Sequence, residues 1–483
     1  MGSSLLHWFG APSYSAALCC TCCDFLNMRK LWFFDSLLAN LSVATVLLLS
    51  IVSLQPSVRA GVSPCYLENG LCSVVDRNRQ NNPCNDSGGW SSYNVVNVDW
   101  YGAIGDGLTD DTQAFADAWS DACGLESAVF LVPEAGTYLV GPLVFKGPCA
   151  SGLVVEISGT LVAPFEPYSL SRSNSNSWLH FNQLNNLTVE GGGTVDGQGQ
   201  KWWTQSCKRN KTRKCQDAPT ALKFSVVNNL RVRNIRSLNS PQVHINFAHC
   251  YGVQAVNLQV EAPADSPNTD GIHISGTQNL LIQDTWIGSG DDCVSIVSGS
   301  LDIRIKNVSC GPGHGISIGS LGKSSNEEHV SLVVVDGATF VGTSNGLRIK
   351  TWQGGTGLAM GFLFENVQMV NVSHPIIIDQ SYCDPPSACP SENETSAIQV
   401  SQVFYRNIWG TSATKQAIKL ACSKVAPCKN LYFEDIYLVP AIGDGSSTSL
   451  CQSAEGVTTG IVIPTVECLD SPSQRRRPLH CSM

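Results

Sequence analysis

The sequence predicts an all-β fold, a right-handed parallel β-helix closed at its N-terminal end by a helix. Three observations carry this. The 483 residues include 43 glycines and only 14% charged residues, a mix that suits strands and tight turns better than long helices. A six-residue unit recurs after residue 180: apolar, any, apolar, any, Asn or Asp, then usually apolar. One amphipathic helical segment precedes the repeats and none interrupts them.

The unit reads LRVRNI from Leu230, VQAVNL from Val253, LLIQDT from Leu280 and IRIKNV from Ile303. It continues as LVVVDG from Leu332, FLFENV from Phe362, VFYRNI from Val403 and LYFEDI from Leu431. Alternation inside each unit marks a strand with one buried face. A unit this small cannot bury that face alone, so successive units must stack. An eight-stranded sandwich would explain the alternation but not the return of Asn or Asp at one place, at 234, 257, 284, 307, 336, 366, 407 and 435. Stacked side chains of this kind can hydrogen-bond along the axis. Intervals from 23 residues (Asn234 to Asn257) to 41 (Asn366 to Asn407) put loops of varied length on a constant strand frame.

In chain order, residues 1–60 form a leader. Its apolar run Leu37–Leu54, LLANLSVATVLLLSIVSL, follows Arg29 and Lys30. Eighteen residues is long for a signal-peptide core and short for a spanning helix. The run serves either as a signal peptide cleaved near Ala60 or as a type II anchor, and both send the remainder to the exoplasmic side. A secreted, extracellular or cell-wall protein is therefore expected, with membrane anchoring through 37–54 as the second reading. Residues 61–94 read as a polar, Cys-containing linker, and 95–483 as the β-helix domain. At its start TDDTQAFADAW (Thr109–Trp119) spaces Ala114, Phe115, Ala118 and Trp119 as a helix does, and such a helix can cover the solenoid's open end.

Cysteine usage agrees with an oxidising compartment. Of 21 cysteines, Cys19, Cys20, Cys22 and Cys23 precede the apolar run and the rest follow it. Cys207 with Cys215, Cys383 with Cys389 and Cys422 with Cys428 are close enough to staple loops. The number after the run is odd, so one thiol is left over. Six sequons downstream of the run, at Asn85, Asn186, Asn210, Asn307, Asn371 and Asn393, point the same way. The net charge of −9 argues against a nucleic-acid partner, and any acidic substrate must be met by a local positive cluster.

The stretch SPNTDGIHISGTQNLLIQDTWIGSGDDCVSI, Ser266 to Ile296, holds Asp270, Asp291 and Asp292 and not one Lys or Arg. Asp270 and Asp291 are 21 residues apart, Asp292 and His314 are 22 apart, and His314 and Arg348 are 34 apart. Stacked coils would bring such pairs within about one strand spacing, roughly 4.8 Å. Gly288 and Gly290 offer a turn that lets Asp291 and Asp292 face one way. Uncompensated carboxylates raise at least one pKa, which suits a general acid beside an ionised base. Arg348 and Lys350, on one strand face, suit an anionic substrate. Plainer readings exist for two of these residues: a Ca2+ ligand at Asp292, and a turn histidine at His314. The glycines flanking His314 point instead to close approach by a ligand.

Together NTD (Asn268–Asp270), GDD (Gly290–Asp292), GHG (Gly313–Gly315) and RIK (Arg348–Lys350) resemble the four signatures of the polygalacturonases, glycoside hydrolase family 28, in order and spacing. The likeness runs from DWYGAIGDGLTDDTQAFADAW to the C-terminal cysteines, and GSLG after the histidine resembles plant-type members. The resemblance implies hydrolysis of α-1,4-linked galacturonate in pectin with inversion. Asp291 would be the general acid, Asp270 and Asp292 would position and deprotonate the water, and His314 would tune or relay protons. Asn268, Arg348, Lys350 and Tyr382 would bind substrate, and a disulfide Cys293–Cys310 is implied. No cofactor or metal is expected, and the chain is expected to act as a monomer on polygalacturonic acid. The rival readings are a rhamnogalacturonan or xylogalacturonan hydrolase, a Ca2+-dependent eliminase and an inactive pectin-binding protein; the last would need an empty catalytic position, and all are filled.

Overall fold

The computed structural model describes residues 94–167, 176–209, 212, 218–323, 326–384, 397–443 and 445–470, with a separate antiparallel pair, Leu67–Glu68 against Leu71–Cys72. The leader, its run 37–54 and most of the linker lie outside the described residues.

Each strand from Asn94 onward pairs in parallel with its equivalent one coil away, giving a single sheet of 29 strands wound into three ladders. The first runs through Leu179, Leu222, Ile245, Ile272, Val294, Ile316, Leu347, Ile376 and Ile418. The second runs through the repeat units, Leu230, Val253, Leu280, Ile303, Val333, Phe362, Val403 and Leu431. The third runs through Val195, Ser237, Val260, Ile287, Cys310, Phe340 and Met369. These rungs point inward and are buried. Each large apolar one contributes about 1.5–3 kcal/mol of burial, so the core is a column shared by all coils. Inside it Phe145, Phe181, Phe224 and Phe247 stack face to face at 4.5, 5.1 and 5.5 Å.

The Asn/Asp of the repeat closes the second ladder. Asn234, Asn257, Asp284, Asn307, Asn366, Asn407 and Asp435 all take left-handed backbone, φ +49° to +55°, which short polar side chains tolerate best after glycine. Asn257 donates to Asn234 at 2.8 Å, Asn307 to Asp284 at 2.6 Å and Asn407 to Asn366 at 2.8 Å. The fifth unit is corrected by one residue. Ile303 pairs with Val333, not Leu332, so the left-handed place falls on Gly337 (φ +79°), and Asp336, one residue early, still accepts from Asn366 at 2.7 Å.

Helix α1 covers Thr112–Gly124 and not Thr109 onward, because Asp106–Asp110 is taken as a strand against Thr137–Leu139. Asp111 does not cap it; its carboxylate accepts from Ile104 N at 2.7 Å and Gly105 N at 3.2 Å. As the spacing requires, Ala114, Phe115, Ala118 and Trp119 are buried, and Trp119 stands edge-on at 4.9 Å against Phe145, the end of the phenylalanine stack. Cys123–Cys149 ties the helix down. Cys422–Cys428 and Cys293–Cys310 form as expected, together with Cys451–Cys468. Cys207 and Cys383 are also in disulfides, while Cys215 and Cys389 lie outside the described residues. Among the described residues Cys250 is the leftover thiol, buried in the core. No helix among them is long and apolar enough to cross a membrane.

Candidate active site

The first ladder builds the site, and its register corrects two of the expected spacings. Ile272 pairs with Val294 and Val294 with Ile316, so Asp270 stands beside Asp292, one coil and 22 residues on, rather than beside Asp291. Gly271 N donates to Asp292 O at 2.9 Å and Cys293 N to Gly315 O at 2.8 Å, which sets His314 beside Asp292. The next step is 31 residues, because Ser317 pairs with Arg348; His314 is therefore level with Asn345, not with Arg348. Asp291 sits on an added bend residue outside the ladder. Gly290 makes the bend fit, since a Cβ there would lie 2.0 Å from Ser266 O. At Gly315 (φ +89°) a Cβ would lie 2.3 Å from Asn345 O and Gly346 O. The close neighbour that requires glycine after His314 is thus the next coil, not a ligand.

Three polar groupings result. His314 Nδ1 lies 3.0 Å from Asp291 Oδ1, and Asn268 Nδ2 donates to Asp291 Oδ2 at 3.2 Å. Burial pushes the Asp291 carboxyl up, but His314, Lys350 and the Asp292 N–H more than offset it and hold the group below the usual carboxylate range. The bond to Asp291 lifts His314 above the usual histidine range against the effect of burial. Each group thus favours the charged form of the other, and the two titrate as a pair.

Asp270 Oδ2 accepts from Ser295 Oγ at 2.6 Å, and His273 Nδ1 bonds the same hydroxyl at 2.7 Å. Burial, and then the Asp291 charge, hold the Asp270 carboxyl above its usual range. One raised carboxyl was expected; it is Asp270, not the proposed acid, because Asp291 has a histidine against it.

Asp292 is buried and was expected to lack counter-charge. The structure supplies it from 58 residues away: Lys350 Nζ donates to Asp292 Oδ2 at 2.7 Å, Ser317 Oγ donates to Oδ1 at 2.7 Å, and Arg348 Nη1 is 3.8 Å from Oδ1. Burial pulls the Lys350 ammonium down and Asp292 more than restores it, so it stays charged. Arg348 Nε is buried without a partner. The Tyr382 ring lies 5.3 Å from the Arg348 guanidinium and 5.4 Å from Lys350 Nζ, within cation–π range.

Asn268, Asp291, His314, Arg348, Lys350 and Tyr382 line one cleft of about 400 Å3, while Asp270 stands in the adjoining coil. Donor atoms of Asp291, Asp292 and His314 lie within 4.8 Å of one another, close enough for a metal ion, yet the carboxylate oxygens and His314 Nδ1 already bond within the protein. Sequence reasoning missed His273, Ser295 and Ser317. Their signal was available, for each follows Asp270, Asp292 or His314 by three residues and all three share one outward column with Arg348. It also missed Lys208 and Asp384, which line the cleft as an ion pair and carry no such signal.

Paired carboxylates, one against a histidine, in an open cleft on a parallel β-helix suit an acid–base hydrolase of a polymeric sugar. Residues 123–461 match the model of the glycosyl hydrolases family 28. A probable polygalacturonase of Arabidopsis thaliana is 50% identical over 77% of this chain and 84% of its own. The polygalacturonase of Erwinia carotovora ssp. carotovora shares the fold, with TM-score 0.60 and 24% identity over 73% of this chain and 94% of that one. So does the endo-xylogalacturonan hydrolase of Aspergillus tubingensis, with TM-score 0.63 and 23% identity over 78% and 99%. The chain belongs to glycosyl hydrolases family 28 and is an inverting glycoside hydrolase; the resemblance to polygalacturonases is borne out.

Proposed function

We propose that the protein hydrolyses α-1,4-galacturonosidic bonds of pectin homogalacturonan with inversion, outside the cell, in the modification of cell walls. The observation that carries this is the Asp291–His314 pair, 3.0 Å apart at the edge of a cleft lined by cations. Asp291 protonates the glycosidic oxygen and His314 refills it. Asp292, fixed by Lys350 and Ser317, and Asp270, fixed by Ser295, hold the attacking water and accept its proton; the raised affinity of Asp270 for a proton suits that end of the reaction. Asn268 aims Asp291. Arg348, with an unused buried N–H, and Lys350 and Tyr382 beside it, meet galacturonate. No metal or cofactor takes part. Oxidised cysteines and the six sequons support secretion, with 1–60 as the leader, 61–94 as the linker and 95–483 as the enzyme domain, acting as a monomer.

Polygalacturonic acid tests the reading. Purified protein is expected to release reducing ends and, by proton NMR, to deliver the new end first as the β-anomer. An α-anomer, an unsaturated product or no cleavage would sink it. The size of the first products separates endo from exo action.

A further inference from the structure

One face of the solenoid carries an apolar surface that the catalytic reading does not use. Toward the C-terminal coils, the outward residues of the third ladder are Thr339, Gln368, Trp409, Tyr437 and Ile463, paired in register from coil to coil. Two residues further along each of the first four strands stand Val341, Val370, Thr411 and Val439. None of these residues is charged, whereas earlier coils of the same face hold the Arg236–Glu261 ion pair. Trp409 and Tyr437 are 39% and 51% exposed, and Val341, Val370 and Ile463 are exposed as well. The strip measures roughly 19 Å by 7 Å, far short of the ~800 Å2 per partner that a stable protein interface takes. Its shape and its lack of charge suit something narrow and neutral.

Asn371 follows Val370 at the edge of this strip and begins the sequon Asn371-Val372-Ser373. Of the sequons, those at Asn186, Asn307 and Asn371 fall on described residues. Asn186 accepts from Asn229 Nδ2 at 2.7 Å and Asn307 donates to Asp284 at 2.6 Å, so both are tied into bonds between coils. Asn371 is exposed and bonds Thr411 Oγ1 through its backbone N–H at 2.8 Å. Among the described residues its side-chain amide has no partner.

Resting on the reading of this chain as a secreted protein, we propose that Asn371 is N-glycosylated and that its glycan lies back over the strip. In the secretory lumen Asn371 Nδ2 displaces the diphosphate from the anomeric carbon of a lipid-linked oligosaccharide. The C–N bond forms as the C–O bond breaks, and Nδ2 gives up one of its two protons. The first sugars of such a glycan are uncharged. The C–H faces of their rings pack against Val370 and the aromatic rings of Trp409 and Tyr437, which need no counter-charge. The glycan thereby covers an apolar patch that otherwise stands in water.

Protein exported from eukaryotic cells that add high-mannose glycans, mapped by mass spectrometry of its glycopeptides, tests this. Asn371 is expected to be occupied. An endoglycosidase acting on the folded protein is expected to trim this glycan roughly two- to tenfold more slowly than in the Trp409→Ala protein, with the other occupied sites trimmed at unchanged rates. Tyr437→Ser, at a half-exposed position, gives the same reading if Trp409→Ala fails to fold. Asn371→Gln is expected to leave turnover of polygalacturonate as in wild type. An empty Asn371 in the exported protein, or a trimming rate that neither Trp409→Ala nor Tyr437→Ser changes, would overturn the proposal. So would a wild-type dimer that Trp409→Ala dissociates, which assigns the strip to a second copy. Retention of wild type on an immobilised neutral glucan, abolished by Trp409→Ala, would overturn it too and assign the strip to a neutral polysaccharide. If the protein is not exported and no sequon is occupied, the secretion reading has failed and the glycan falls with it, while cleavage of polygalacturonate is judged by its own assay.

Discussion

Two faces of one solenoid follow the same winding rule and use it oppositely. On the second ladder the returning Asn/Asp residues answer one another from coil to coil: Asn257 donates to Asn234, Asn307 to Asp284, Asn366 to Asp336 and Asn407 to Asn366. On the first ladder the outward column runs His273, Ser295, Ser317, Arg348; Ser295 and Ser317 donate to Asp270 and Asp292 of the preceding coil, and Arg348 stands 3.8 Å from Asp292. One face repeats and holds; the other breaks the repeat and works. The lesson is that a regular frame lets a site be written one residue per coil, at a pitch of about 4.8 Å, provided a second face keeps the register fixed.

Substitutions can break each side of this contrast. The largest effect is expected at Asp291→Asn, with kcat falling about 10²- to 10⁴-fold in a protein that still folds; a folded variant with wild-type turnover would remove Asp291 from the chemistry. Lys350→Met comes next. It leaves Asp292 buried without its ammonium, and breaking a pair of this kind costs about 3–5 kcal/mol, so denaturant melts should shift strongly as activity is lost. Adding Asp292→Asn should restore stability and not activity. If Lys350→Met folds as firmly as wild type, the pair is not what holds this floor together.

The pH dependence sharpens the comparison further. His314 is raised, so its contribution to stability is whole below the ordinary histidine value, near 6.5, and is lost as pH climbs through its folded value. Asp291 is lowered, so its share is present above about 3.9 and is lost as pH falls through its folded value. His314→Gln should therefore destabilise most between roughly pH 4 and 6.5 and erase the basic limb of the kcat profile; an unchanged limb would assign that limb to another group. The smallest effect belongs to the other face. Asn257→Ala deletes one rung of the amide ladder and places a Cβ-bearing residue without a local polar side chain at φ +53°. A loss of about 1–2 kcal/mol is expected with turnover intact, and a fall in turnover would mean that the two faces are not separable.

Much of this was legible in the residues. The repeat units announced the fold because a buried strand face and a left-handed turn both constrain residue type, and four short motifs announced the site. What was hidden had a common cause, the exact winding count. LVVVDG admits two registers, and only the pairing of Ile303 with Val333 decides between them. Asp291 and Asp292 are adjacent, and the sequence does not say which of them keeps the ladder and which takes the bend. The partner of Asp292 lies 58 residues on, and Lys208 lies 176 residues from Asp384; no local pattern encodes either encounter.

The plug at the N-terminal end bears on more than folding. A coil is shaped to receive another coil, with open strand edges and a ring of phenylalanine ready to stack. At the first coil that invitation is withdrawn by α1, whose Trp119 occupies the position another aromatic ring would take and whose tether, Cys123–Cys149, keeps it there. Without that lid the open strand edges of the first coil would be a template for pairing with another chain. Thirteen residues of amphipathic helix and one disulfide thus close that edge.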